Sequence, residues 1–150
     1  MISNNIKPKT EPDQQVKKII LDLFESNKLI DAEKEIYRQI KKYPNSSILY
    51  NILGAVLAEQ NQLDKAIINY KKAIKINSNY AQAYNNLGAA LHKQKKADKA
   101  VDCYKKALRL KKDFAEAFNN MGNATRELGR SKESLQYFEK AVQIKSDYAE

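Results

Sequence analysis

Tryptophan is missing from this 150-residue chain, and cysteine, histidine, proline and glycine are scarce. The one cysteine, Cys103, has no internal partner for a disulfide, so the chain fits a reducing compartment. The one histidine, His92, excludes a histidine-based metal cluster within a single chain. With four glycines there is no phosphate-cradling loop, and neither Gly-x-Ser-x-Gly nor Cys-x-x-Cys occurs. No apolar run approaches the roughly 18 residues that a membrane-crossing helix needs. Met1 to Pro12 lacks the apolar centre of a signal peptide. These absences argue for a soluble, cytoplasmic, non-catalytic chain that needs no cofactor.

What is present repeats. Tyr84-Asn85-Asn86-Leu87-Gly88-Ala89 has a counterpart 34 residues earlier in Tyr50-Asn51-Ile52-Leu53-Gly54-Ala55. A second counterpart lies 34 residues later, in Phe118-Asn119-Asn120-Met121-Gly122-Asn123. Residues 47–80 and 81–114 share 14 identities, and 81–114 and 115–148 share 10. A fixed period of this length signals a repeat architecture. The block 13–46 fits the frame more loosely, with Ile20 where the others carry glycine.

Within each block the apolar residues recur at helical spacing twice, so each repeat is a helix pair. Expected helices are 13–26, 29–43, 46–60, 63–76, 80–94, 97–110, 114–128 and 131–144. Asp13 is placed to cap the first, and Pro44 stops the second. The turn within each pair falls at Asn27, Asn61, Lys95 and Gly129. Three of these residue types tolerate a left-handed backbone; Lys95 does not, and would lose about 1 kcal/mol there. Gly54, Gly88 and Gly122 fall in mid-helix, implying close helix approach, with Ala66 and Ala100 facing two of them. Tyr70, Tyr104 and Phe138 would fill the seam between neighbouring repeats.

These positions resemble the tetratricopeptide repeat family. The pattern here is Tyr84, Leu87-Gly88, Leu91, Ala100, Tyr104 and Ala107, with Lys112 where proline is usual. The resemblance implies an all-α solenoid of antiparallel helix pairs, four repeats in a right-handed superhelix. Its divisions are a disordered leader, 1–12, then repeats 13–46, 47–80, 81–114 and 115–148. Ala149-Glu150 would start a truncated next repeat, leaving Leu135, Phe138 and Val142 partly uncovered. That end would face either more chain or another copy.

The formal charge is +9, with many basic residues on second helices: Lys71, Lys72, Lys75, Lys99, Lys105, Lys106 and Arg109. In this architecture those helices are the outer ones, and no aromatic residue interleaves there to stack bases. A solvated face is the expected role, rather than nucleic-acid binding. Function is expected on the concave face lined by the first helices. Its candidate residues are Asn51, Asn85, Asn86, Ala89, His92, Lys93, Asn119, Asn120, Asn123 and Arg126. Amides can bond the main chain of an extended peptide with little regard for its sequence.

The wording Tyr-Asn-Asn-Leu-Gly also resembles the repeat arm of O-linked N-acetylglucosamine transferases. That resemblance implies an asparagine ladder holding substrate peptide, at Asn86 and Asn120, with Ile52 and Lys18 departing from it. The alternative function it implies is a substrate-recruiting arm of a transferase whose catalytic domain lies beyond residue 150. Chaperone-binding members clamp a C-terminal carboxylate with basic residues; here Glu116 would repel one.

Overall fold

The structure, a computed structural model, describes residues 10–148. Among the described residues there are eight helices: α1 (Gln14–Glu25), α2 (Leu29–Lys42), α3 (Ser47–Glu59), α4 (Leu63–Ile76), α5 (Ala81–Lys93), α6 (Ala97–Leu110), α7 (Ala115–Glu127) and α8 (Ser131–Asp147). No strand occurs among the described residues. The helices match the expected ones to within a residue or two at each end, except that α8 runs three residues further. No helix among the described residues is long and apolar enough to cross a membrane.

Helices pack in chain order. Each first helix meets its own second helix, and each second helix meets the first helix of the next repeat. The first helices also touch directly, α3 with α5 and α5 with α7, while the second helices have no comparable contact. Closer spacing on one side curves the array and puts the first helices on its inner surface. The core runs continuously through the repeats, from Ile20 and Ile36 through Leu53, Leu57 and Leu87 to Met121. That continuity is what lets stacked repeats bury faces a single hairpin would expose.

The four within-pair turns share one geometry. Asn27, Asn61, Lys95 and Gly129 all have positive φ, at 56°, 59°, 63° and 75°. Around Asn27 the amide of Lys28 bonds the Leu23 carbonyl at 2.9 Å, and that of Asn27 bonds the Phe24 carbonyl at 3.0 Å. This pair of bonds uses carbonyls that a helix end leaves without partners. The same pair recurs at Gln62, Lys96 and Arg130.

The close approach expected at the glycines is made by an aromatic ring of the paired helix. A Cβ on Gly54, Gly88 or Gly122 would lie 2.5–2.6 Å from the ring of Tyr70, Tyr104 or Phe138 respectively. Each aromatic ring therefore packs against the glycine of its own hairpin, and the ring, rather than Ala66 or Ala100, is what a side chain there would meet first.

At the N-terminus the Asp13 carboxylate accepts from the Val16 amide at 3.0 Å, as a helix cap should. The expected leader falls largely on residues 1–9, outside the described residues, as does the 149–150 start of a further repeat. Of the rest, Pro12 is buried, and Glu11 accepts hydrogen bonds from the hydroxyls of Ser46 and Ser47 at the start of α3.

Candidate functional site: the inner face of the first helices

Two of the amides expected on the exposed inner stripe are not exposed. Asn85 is 0% accessible and Asn51 is 6%. Each sits three residues before its glycine, and there it points into the seam with the next repeat. Asn119, at the same place in the last repeat, has no following helix among the described residues and is exposed.

Each buried amide both donates and accepts. Asn51 donates to the Tyr80 hydroxyl at 3.3 Å and accepts from Asn86 at 3.1 Å. One repeat later Asn85 donates to Glu116 at 2.8 Å and accepts from Asn120 at 3.1 Å. Gln82 in turn donates to the Asn86 oxygen at 3.0 Å. Asn86 and Asn120, expected to hold a peptide, therefore each tie their own repeat to the one before it. Satisfying these groups matters, because a buried amide left unpaired costs about 1–3 kcal/mol. The sequence carried a signal for it: the bonded pairs are 35 residues apart, one more than the period.

The remaining candidates lie closer to solvent. Asn86, Ala89, His92, Asn120 and Asn123 are half-buried, and Lys93 and Arg126 are exposed. Arg126 donates to Asn123 at 3.2 Å and sits 5.7 Å from the Phe138 ring centre.

Between α3 and α5 the inner face opens into a recess of about 160 Å³. Its walls are Ala55, Ala58, Asn86, Ala89 and Ala90, with Glu59 and Lys93 at the rim and Tyr70 in the floor. One repeat on, His92 stands where Ala58 stands, and Glu127 where Lys93 stands. There His92 Nε2 meets Glu127 Oε2 at 2.7 Å, joining α5 to α7 across the groove. The first interval is thus open and the second is bridged. Nothing in the sequence alone marked Tyr70 as a floor or His92 and Glu127 as partners.

Burial governs the titratable groups beneath this face. It raises the Tyr70 and Tyr104 phenols well above their usual range, helped at Tyr70 by the charge of Glu59. It also pushes the Cys103 thiol up to about 11, so the thiolate nucleophile is suppressed near neutrality. No cluster of three metal-ligating side chains is gathered among the described residues.

Three family models match: a "TPR repeat" model over residues 54–95 and "Tetratricopeptide repeat" models over 81–114 and 115–148. Among solved structures, a crystal structure of MamA superposes with a TM-score of 0.79 at 27% identity, covering 89% of this chain and 78% of that one. The second TPR of Spaghetti (RPAP3), bound to the HSP90 peptide SRMEEVD, superposes with a TM-score of 0.64 at 24% identity. That match covers 65% of this chain and 91% of the other. A search of curated protein sequences finds no match.

Proposed function

We propose that this chain, which is built of tetratricopeptide repeats from residue 54 to residue 148, is a non-catalytic module that holds an extended peptide or protein segment along its inner face. The observation that carries this reading is the open, alanine-walled recess between α3 and α5 on that face. Small side chains let a peptide backbone come close, and Asn119, Lys93 and Arg126 supply polar contacts at the exposed edges. The peptide held by the RPAP3 repeats supports the same kind of partner here.

The proposal differs from a transferase-type peptide ladder in one respect. Asn86 and Asn120 each spend an amide N–H on the neighbouring repeat. A peptide would meet the Asn120 oxygen and the rim residues rather than two free amides. Asn85 holds the Glu116 carboxylate on this face, which disfavours a terminal carboxylate as ligand.

Selection of a displayed random-heptapeptide library against the chain tests the reading. Peptides should be recovered that lose at least ten-fold in affinity to an Ala55→Leu/Ala89→Leu variant, which fills the recess. Recovered peptides that bind this variant as well as the parent would refute it.

A second proposed contact is with another copy along the exposed face of α8. Leu135 and Val142 are 58% and 64% exposed, whereas Val101, equivalent to Leu135, is 3% exposed beneath α7. Sedimentation should then depend on concentration, and Leu135→Lys/Val142→Lys should abolish the dependence. A concentration-independent parent would rule this contact out.

A further inference from the structure

The recess has a feature that alanine walls alone would not supply. Tyr70 is 3% exposed, lines the floor, and its hydroxyl makes no hydrogen bond to any described residue. A phenol can both donate and accept. Asn86 also lines the recess; it donates to Asn51 and accepts from Gln82, and it makes no bond to the Tyr70 hydroxyl. A polar atom in a closing apolar pocket must find a partner from the guest or lose its water without compensation.

The rim restricts what that guest is. Glu59 and Lys93 stand on opposite walls, one on α3 and one on α5. Neither forms an ion pair with a described residue. A guest carboxylate would gain from Lys93 and lose to Glu59, and an ammonium the reverse, while either would be stripped of water. A wholly aliphatic guest would cover the Tyr70 hydroxyl and leave it unpaired. A neutral side chain with an apolar stem and a tip that donates and accepts meets every constraint.

Resting on the peptide-binding reading, we infer that the α3–α5 recess is a specificity pocket for an amide-tipped side chain, glutamine above all, whose amide bonds the Tyr70 hydroxyl. The stem lies against Ala55, Ala58 and Ala89. The bridged α5–α7 interval takes no such side chain, because His92 and Glu127 join across it.

Butyramide, butyrate and butylammonium carry the same stem with three different tips, and they serve as probes in methyl-detected NMR of the whole chain. Butyramide should shift the Ala55, Ala58 and Ala89 methyl resonances, and the two charged probes should not do so at equal concentration. Tyr70→Phe removes only the hydroxyl, and phenylalanine is native at the equivalent Phe138, so the fold should persist. It should weaken butyramide about five-fold, the loss of one hydrogen bond. Ala89→Leu should abolish the shifts by filling the space. Equal shifts from all three probes, no shifts at all, or an unchanged response in Tyr70→Phe would each overturn the inference. Butyramide binding with no peptides recovered by display would instead sink the peptide reading, and peptides without butyramide binding would sink this pocket.

Discussion

At the residue scale the tightest contact is between glycine and ring. A Cβ at position 88 would come within 2.6 Å of Tyr104, and a ring buried to 1% exposure has little room to move. Gly88→Leu should therefore lower stability by about 1–3 kcal/mol through overpacking, read as a reduced urea midpoint. A variant that unfolds at the parent's midpoint would show that the ring yields freely. Lys95 is the opposite case, a lysine held at φ 63° where two sister turns use asparagine. Lys95→Asn should raise stability by up to about 1 kcal/mol by relieving that backbone, measured in the same titration. No gain would mean that the lysine's own contacts outweigh the strain.

At the scale of elements, first helices are joined by amides and by packing. Asn120 on α7 completes Asn85 on α5, and Asn85 is wholly buried. Asn120→Ala would strand the Asn85 oxygen, costing about 1–3 kcal/mol and loosening the last repeat. Hydrogen exchange should then quicken in α7 and α8 more than in α3 and α4, because stability in such arrays is local to a repeat and its neighbours. Uniform exchange along the chain would contradict a ladder of this kind.

At the scale of the whole molecule, one packing solution used repeatedly gives the chain a shared vulnerability to alkali. Tyr70, Tyr104 and Cys103 all hold their protons more tightly in the fold than in the unfolded chain. Stability from them is fully present below their ordinary values, 9.0 for the thiol and 10.0 for the phenols. It is lost as pH rises above those values, since the unfolded chain then releases protons first. The melting temperature should hold to about pH 9 and fall beyond it, and Tyr104→Phe should flatten the fall. A profile with the same slope in that variant would place the alkaline loss elsewhere. Near pH 8 Cys103 should react with an aromatic disulfide reagent far more slowly than free cysteine.

The amino-acid sequence by itself determined the period, the helix pairs and the turns. These depend on local matters: apolar spacing, small residues in mid-helix, and residue types that accept a positive φ. Asn27, Asn61, Lys95 and Gly129 could be placed because a helix end imposes the same backbone wherever it occurs. The fate of Asn51 and Asn85 was decided by tertiary structure, because a polar side chain on a helix is exposed or buried according to which neighbour packs over it. The same holds for the glycines, whose ring partners lie 16 residues away on the antiparallel helix. The recess over Tyr70 exists because small side chains of two repeats, Ala55 and Ala58 on one and Ala89 and Ala90 on the next, face each other there, and which helices come to face each other is a property of packing that no single stretch of chain encodes.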